Sequence, residues 1–373
     1  MRLAGLDVGG RLDRYVARAF VKAFAVSLFA VLGLFVVLDL AAHLDEFLIR
    51  SGAGAQSLPL LAEYYLLSLP FLFLQAAPFI TLGAGAYTLV RLVQTNEWMA
   101  VLGAGISSRR MLAPVIALAL ALAGSILAFR DRATERLAFQ RDLVHGRLLW
   151  GQERPWAEAV WVRDRSGRPF FVRRFQVHGG LQGEATIEGL EADLFFEGQW
   201  MRFRADEARF TRESGRGQWT LDEGASLEFE DATRQRELSP EKLVHLDFEP
   251  RDVLAAAKMR VDPDKLSSFE IHELVARDPD NMQLRTIEQN LWAYPFANVI
   301  FLLIGLPLAL SVEKRRVLRG VLVGVLTCFF YFVFDFVCRS LGMEGALSPL
   351  IAGWLPAVLF GSLGIVLTSA LST

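Results

Sequence analysis

Six long runs of apolar residues, separated by polar segments, dominate the pattern of the chain. A helix needs about 20 apolar residues to cross the hydrocarbon core of a bilayer, and each run is close to that length or longer. The pattern therefore predicts six transmembrane helices, over residues 19–42, 64–90, 111–129, 291–312, 320–337 and 345–373.

The segment between the third and fourth runs has a different pattern. Short aromatic-rich stretches such as Trp161-Val162-Arg163 and Trp200-Met201-Arg202-Phe203 alternate in part, and turn signals such as Ser166-Gly167 separate them. This spacing is typical of an all-β sandwich, so we predict a jelly-roll-like β domain with helical flanks. One flank, residues 130–149, continues the third helix, and the other contains the capping-box pattern Ser267-Ser268-Phe269-Glu270.

The predicted fold class is therefore an α-helical membrane protein with six transmembrane helices and an inserted extracytoplasmic β-jelly-roll-like domain between helices 3 and 4. Residues 1–130 form an N-terminal transmembrane part, residues 131–288 the β domain, and residues 289–373 a C-terminal transmembrane part.

Lysine and arginine are distributed unevenly between the short loops, and this bias predicts the orientation. Basic residues resist translocation, whereas acidic residues have little influence. The loops over residues 45–63 and 339–344 contain one arginine each. The three more basic segments, expected in the cytoplasm, contain Arg11, Arg14, Arg18 and Lys22, then Arg91, Arg109 and Arg110, then Lys314, Arg315, Arg316 and Arg319. Both termini are therefore expected in the cytoplasm, and the β domain on the opposite side of the membrane.

Composition supports the membrane interpretation and narrows the function. Of the 373 residues, 53% are hydrophobic and only 21% are charged, with a mean hydropathy of +0.33, which argues against a soluble globular protein. The formal net charge of −2 gives no general electrostatic basis for nucleic-acid binding. Cys328 and Cys338 lie ten residues apart on one predicted helix, about 15 Å, too far for a disulfide.

The chain lacks the motifs of an enzyme that uses ATP or zinc. No glycine is followed by lysine, so the phosphate-binding loop G-x-x-x-x-G-K-[ST] does not occur. His272-Glu273 is not followed by the second histidine of a zinc helix. We therefore expect no catalytic residue, no metal site and no cofactor in this chain.

The loop between the second and third helices, residues 92–107, predicts a short amphipathic helix. Thr95 or Asn96 is placed to cap it, Glu97 suits its positive end, and Trp98, Val101 and Leu102 form an apolar side. Two interpretations remain open. The helix either rests on lipid headgroups or docks in a groove of a cytoplasmic partner, with an aromatic anchor.

Several features occur in a distinctive order, although no single one is specific. They are Asn96-Glu97 with residues 105–110 and Pro114, residues 205–210 (ADEARF) followed by 217–224 (GQWTLDEG), Pro295-Phe296 with residues 305–310 (GLPLAL), and Leu341-Gly342 with Ser348-Pro349 and residues 354–356 (WLP). In this order the chain resembles the LptF/LptG family of lipopolysaccharide export permeases over nearly its whole length. Residues 12–15 (LDRY) and Asp39-Leu40 resemble the LptG branch more than the LptF branch.

The resemblance implies a permease subunit of an ABC transporter in the bacterial inner membrane. It implies a heterodimer with a homologous LptF/LptG-type permease, a cytoplasmic LptB-type ATPase dimer that binds ATP and magnesium, and a periplasmic LptC/LptA-type β bridge that receives lipopolysaccharide. Helices one and five would line the lipid cavity. The residues expected to receive the movement of the ATPase are Glu97, Trp98, Met99, Val101, Leu102, Gly105 and Ser107.

Charged residues near the membrane allow two further hypotheses. Arg130, Arg132 and Arg136 follow the third helix and suit lipid phosphates; alternatively, Arg130 only ends the span and the other two pair with neighbouring carboxylates. Asp335 lies within the fifth run, where a charge is costly, so we expect it to pair with Arg339 or to face a watery cavity.

Two other classes of protein are compared with the permease interpretation. A secondary transporter usually has internal repeats and ion-coupling residues at the bilayer midplane, and neither is clear here. A membrane-anchored scaffold or receptor, which binds periplasmic proteins through its β domain, remains open. Binding of an ATPase to residues 97–107 distinguishes it from a permease.

Overall fold

The computed structural model describes residues 2–3, 6–7, 10–50, 57–150, 157–178, 184–196, 199–213, 216–222, 224–229, 246–261, 266–310 and 317–370. The chain forms two compact units. Residues 1–49, 61–133 and 285–373 form the first, here called the membrane unit, and residues 50–60 and 134–284 form the second, the β unit.

Ten α-helices are described, preceded by a small hairpin of β1 (Arg2–Leu3) and β2 (Leu6–Asp7). The helices are α1 (Arg11–Arg50), α2 (Ser57–Gln94), α3 (Glu97–Gly103), α4 (Ser108–Trp150), α5 (Pro250–Val261), α6 (Ser268–Arg277), α7 (Met282–Ala293), α8 (Ala297–Leu310), α9 (Val317–Met343) and α10 (Pro349–Ala370). Six stretches are long and apolar enough to cross a membrane, over residues 11–43, 58–94, 108–132, 282–307, 323–343 and 349–369. The prediction of six transmembrane helices is confirmed.

The fourth span differs most from its prediction. It begins at Met282 instead of residue 291, and it consists of α7 and α8 joined by a 3-10 turn at Tyr294–Phe296. Pro295 lies in this turn and has no N–H to donate to a regular helix. Polar residues in α7 place the predicted start of the span too late. Two of them, Thr286 and Asn290, have side chains that are buried within the membrane unit. Neighbouring helices therefore replace lipid around these groups.

Two apolar clusters hold the membrane unit together. The first joins the beginning of α1, the end of α2, α3, the beginning of α4 and one side of α8. The second surrounds Phe301 on α8, which contacts the rings of Phe79, Tyr331 and Phe332. Because α8 contributes to both clusters, it is the central helix of this unit.

Glycine allows the closest helix contacts. A Cβ at Gly353 on α10 would lie 2.7 Å from Gln289 Cβ and 2.9 Å from the Asn290 backbone nitrogen on α7. A Cβ at Gly305 would meet the Leu82 side chain in the same way. Small residues at helix contacts are the usual means of close packing in membranes, where van der Waals contact drives association.

The β unit contains one antiparallel sheet in the described residues. Its strands are β3 (Ala157–Arg163), β4 (Pro169–His178), β5 (Glu184–Phe196), β6 (Gln199–Glu213), β7 (Arg216–Leu221) and β8 (Ser226–Phe229). They pair in the order β3-β4-β5-β6-β7, and β8 pairs with the first part of β6, beyond the end of β7. The prediction of a β domain inserted between the third and fourth membrane helices is confirmed, and the strands are longer than the aromatic stretches that indicated them.

The sheet buries one face against α5. Phe170, Phe175 and Phe203 are fully buried in this core, and Trp219 Nε1 donates a 2.7 Å hydrogen bond to the Phe248 carbonyl in the segment before α5. The predicted capping box is present at α6, where the Ser267 hydroxyl accepts from Glu270 N and the Glu270 carboxylate accepts from Ser267 N. Local sequence signals therefore locate both the core face and the helical flank.

Candidate functional site

The short helix α3 lies in the loop expected to contact a partner, but its start differs from the expectation. Asn96 occupies the N-cap position in a left-handed conformation (φ 58°) and makes no capping hydrogen bond through its side chain. The Thr95 hydroxyl donates 3.0 Å to the Arg91 carbonyl of α2 instead. Capping by either side chain was therefore a wrong prediction, because Thr95 completes the preceding helix.

Trp98 and Met99 point in different directions from α3. Trp98 is only 7% exposed and packs in the first apolar cluster with Val16 of α1, Leu92 of α2 and Met111 of α4. Met99 is 65% exposed. The Trp98 ring, one candidate anchor for a partner, is therefore buried within the chain itself, where it packs α3 against the membrane helices.

The other residues of the loop divide in the same way. Val101 is half-buried against the first apolar cluster, and Leu102 is 36% exposed. Gly105 has a positive φ of 79°, which favours glycine, and it turns the chain away from α3. The Ser107 hydroxyl accepts a 3.4 Å hydrogen bond from Arg110 N at the start of α4. Met99 and Leu102 are thus the large apolar side chains of this loop that face outward.

Two polar contacts connect α3 and its neighbour α4 to α1. Tyr15 Oη donates a 3.0 Å hydrogen bond to Glu97 Oε1. Arg110 donates to both Asp13 carboxylate oxygens, at 2.7 and 2.9 Å, and the Asp13 residue is 6% exposed. The sequence indicated Glu97 as a functional residue, but neither its contact with Tyr15 nor the contact between Arg110 and Asp13. The available signal was the presence of polar residues within the first turns of an otherwise apolar helix.

The three arginines after the third span are not assembled into one described site. Arg130 is half-buried, and Arg132 is exposed, with Nη1 donating 3.1 Å to the Ala128 carbonyl of its own helix. Arg136 lies on α4, but its side chain is outside the described residues. The lipid-phosphate role of this set stays a prediction.

Asp335 is buried among the helices of the membrane unit. It is 6% exposed, and its Oδ1 accepts a 3.1 Å hydrogen bond from Asn290 Nδ2 on α7. At the neighbouring residue of α7, Gln289 Oε1 accepts a 3.2 Å hydrogen bond from Trp354 Nε1 on α10. Burial of a carboxylate in this unit therefore involves an amide from a different helix, which no local spacing could have indicated.

The two edges of the described sheet have different surroundings. At β3, side chains of Arg260 and Arg277 donate to the backbone carbonyls of Ala159 and Arg163. Arg277 is itself held by Asp252 at 2.9 Å. Burial raises the pKa of the Asp252 carboxyl, and the Glu249 N–H and Arg277 oppose that shift. The β3 edge is therefore occupied by arginine donors, whereas no further strand among the described residues pairs with the outer side of β7 or β8.

A trough of about 920 Å³ opens at one end of the sheet. Phe195 and Trp200, 62% and 55% exposed, form a ring pair with centroids 5.2 Å apart beside it. Arg202, paired with Asp193 at 2.8 Å, and Arg168 line the same trough. Asp193 and Glu228 line the trough as well, so exposed aromatic rings beside charged groups of both signs suit an amphipathic ligand.

The remaining candidates for chemistry are side chains that could bind a metal ion or form a disulfide. Among the described residues, no three His, Cys, Asp or Glu side chains form a group that could hold a metal ion. Cys328 and Cys338 are both buried as free thiols.

Comparison with known proteins gives one result for nearly the whole chain. No individually curated protein matches it. The family model described as "Lipopolysaccharide export system permease LptF/LptG" matches residues 14–370. This model covers both branches, so the resemblance to LptG in particular is not resolved by the match. The matched range includes five of the six spans in full, the first span from its fourth residue, and the inserted sheet. The chain belongs to the LptF/LptG family of lipopolysaccharide export permeases, and it is a multi-pass membrane protein and a transporter subunit, not an enzyme.

Proposed function

We propose that this chain is the membrane-spanning subunit of an ABC transporter that extracts lipopolysaccharide from the inner membrane and passes it to a periplasmic bridge. The observation that carries the proposal is the family match over residues 14–370, together with a chain that lacks any phosphate-binding loop of its own. ATP and magnesium would then be bound by a separate ATPase dimer. A homologous permease would complete the membrane part.

The proposed orientation follows from the distribution of basic residues. Both termini and α3 lie in the cytoplasm in this arrangement, and the β unit lies in the periplasm. Met99 and Leu102 would form the apolar contact with the ATPase, because they are the large exposed apolar side chains of the loop. Glu97 would add a charge to that contact, and Trp98 and Val101 would keep α3 seated on the membrane helices.

In the periplasm, the proposed route of the lipid uses the sheet. The trough with Phe195 and Trp200 offers apolar rings to an amphipathic molecule, and Arg202, paired with Asp193, lies beside them. The bridge would add a strand to the sheet, since an unpaired edge offers a row of backbone donors and acceptors. The β3 edge is a poor choice because Arg260 and Arg277 already occupy its carbonyls. We therefore assign strand addition to the β7 and β8 side.

The test is purification of the tagged protein from its native membrane in mild detergent, followed by mass spectrometry of bound proteins and lipid. We expect an ABC ATPase, a second six-span permease and lipopolysaccharide. Met99→Glu introduces a charge into the proposed contact, so the ATPase should be lost while the second permease remains. Met282→Glu alters a methionine that is 41% exposed at the start of α7 and serves as the matched control.

Each result decides between the permease and the scaffold interpretation. Recovery of the ATPase with the unaltered protein, and its loss with Met99→Glu alone, supports the permease. Recovery of periplasmic proteins without an ATPase, from a membrane extract in which the ATPase is detected, supports a scaffold or receptor and contradicts the proposal.

A further inference from the structure

We propose that Asp13, Tyr15, Glu97 and Arg110 form a clasp that transmits the displacement of α3 to the first membrane helix. The proposal rests on the proposed function, because it takes α3 as the element that an ATPase moves. It assigns positioning roles to Asp13, Tyr15 and Arg110. They lie apart from the outward-facing side chains and do not contact the lipid in this scheme.

The clasp has one contact on α3 and one at the start of α4, and both join these helices to α1. Tyr15 on α1 reaches Glu97 at the first turn of α3, at 3.0 Å. Arg110, three residues into α4, holds Asp13 on α1 through two hydrogen bonds of 2.7 and 2.9 Å. A two-bond contact between a guanidinium and a carboxylate fixes both distance and angle, unlike a single point charge. The Gly10 N–H also donates to Asp13, at 3.2 Å.

Burial favours a specific role for the Asp13–Arg110 pair. The Asp13 side chain is 8% exposed and that of Arg110 is 22% exposed, so water screens the pair only weakly. Removal of one partner would leave a poorly solvated charge, which is more costly than the loss of a surface ion pair. The pair therefore resists separation when α4 and α3 move.

The first membrane helix packs against the rest of the chain mainly at its start, so a displacement of this start would move the whole helix. Among its described side chains, the buried ones all lie between Asp13 and Ala23, and Val16, Phe20 and Ala23 join the cluster that contains Trp98. The described side chains from Phe24 to Leu38 are half-buried or exposed, and Phe29 is 78% exposed. Beyond them, Tyr65 Oη donates to Asp39 at 2.9 Å. A rigid helix gripped over its first turns follows the element that grips it.

The clasp and Trp98 have different tasks in this arrangement. Trp98 fills volume and keeps α3 in contact with three membrane helices, but apolar packing alone allows sliding and rotation. The directional hydrogen bond at Glu97 opposes those movements of α3, and the two bonds of Arg110 fix the start of α4 to α1. We therefore expect loss of the clasp to weaken coupling more than assembly.

The test uses the complete transporter in proteoliposomes with a lipopolysaccharide acceptor, and it measures ATP hydrolysis and lipid transferred per ATP. Asp13→Asn and Arg110→Gln should reduce the lipid transferred per ATP by about tenfold, as expected for loss of hydrogen bonds in a weakly screened ion pair. Tyr15→Phe should reduce it by about threefold, because the bond to Glu97 is exposed to solvent. Exchange of the pair, Asp13→Arg with Arg110→Asp, should recover part of the loss.

Two matched controls test whether the position matters. Tyr87→Phe removes a hydroxyl that is 57% exposed and has no hydrogen-bond partner in the described part of the chain. Arg14→Gln removes an exposed guanidinium on the same turn as Asp13, also without a described partner. Neither should change the transfer ratio. Thermal unfolding in detergent checks that each variant is folded.

The results separate failure of the clasp from failure of the proposed function. An unchanged ratio in Asp13→Asn and Tyr15→Phe, or loss of the bound ATPase in both, overturns the clasp. If the single variants unfold, the double variant Asp13→Arg with Arg110→Asp is the test. A double variant that folds but does not recover the lipid transferred per ATP also overturns the clasp. If the unaltered protein binds no ATPase or transfers no lipopolysaccharide, the proposed function fails, and the clasp with it.

Discussion

The first and fourth membrane spans of this chain are both helical and apolar, yet they are used in opposite ways. In the most apolar window of the first span, 6% of the residues are buried within the chain, against 78% in the fourth. The first span also has the higher mean hydropathy. The more apolar of the two helices is therefore the less buried, which is the reverse of the rule for soluble proteins.

The reason is the solvent. A helix that faces lipid must be apolar on all sides, because hydrocarbon offers no partner to a polar group. A helix enclosed by other helices can contain polar side chains when its neighbours satisfy them. The fourth span does so with Asn290, which donates to Asp335, and with Asn298, whose Oδ1 accepts from Thr81 at 3.2 Å.

This difference separates folding from interaction. The helices α7 and α8 organise the membrane unit, and α1 presents an apolar surface to its surroundings. In the proposed transporter, that surface is available to lipid or to the second permease. Three substitution pairs test the contrast, from the largest expected effect to the smallest.

The first pair compares phenylalanines on the two spans. Phe301 is 2% exposed and contacts three other aromatic rings, whereas Phe29 is 78% exposed. We expect Phe301→Ala to lower the free energy of unfolding by about 2–3 kcal/mol. The loss is somewhat smaller than in a water-soluble core, because moving a side chain from lipid into the protein gains no hydrophobic transfer energy. Phe29→Ala should lower it by less than about 0.5 kcal/mol. Thermal unfolding in detergent, monitored by tryptophan fluorescence, measures the stability of both variants.

Equal shifts in the two variants would contradict the contrast between the spans. A second readout sharpens it: Phe29→Ala should weaken co-purification of the second permease if that chain covers α1, with the unfolding midpoint unchanged.

The second pair compares glycines. Gly353→Ala places a Cβ within 3 Å of α7 backbone atoms, whereas a Cβ at Gly33 on α1 meets nothing within 4 Å. Overpacking should cost about 1–3 kcal/mol in Gly353→Ala, and Gly33→Ala should be neutral or slightly stabilising. The unfolding midpoint again gives the comparison. A midpoint for Gly353→Ala equal to that of the unaltered protein would mean that α7 and α10 are not in close contact.

The third pair compares polar groups. Asn290→Ala removes the amide that donates to buried Asp335, and we expect a loss of about 0.6–2 kcal/mol. Ser125→Ala removes an exposed hydroxyl that bonds only to its own helix, at the Leu122 carbonyl, and should have almost no effect. Asp335→Asn combined with Asn290→Ala should be less than additive, since the two groups share one hydrogen bond. Additive losses would show that the pair is not coupled.

The extent to which the functional residues could be predicted depends on the kind of contact. The short helix between the second and third spans was predictable, because its polar start, apolar residues and glycines are local signals. The role of Trp98 was not. A single tryptophan on a short amphipathic helix looks the same whether its ring faces a partner or the chain's own helices, and only the cluster with Val16, Leu92 and Met111 decides.

The sequence by itself determined the six spans, the inserted sheet and the capping box at α6, because hydrophobic periodicity and capping depend on residues close together in the chain. It also determined the family, because the order of the motifs along the chain is a property of the sequence alone. The tertiary structure decided which apolar helix is central and which polar groups meet. Tyr15 and Glu97 are separated by 82 residues, and Asn290 and Asp335 by 45. Such contacts depend on helix packing, and in a bilayer the apolar surface of a helix suits lipid and protein equally. Hydropathy alone therefore does not fix how much of a span is buried: the third and fifth spans have mean hydropathies of 2.4 and 1.6, yet 28% of each window is buried within the chain.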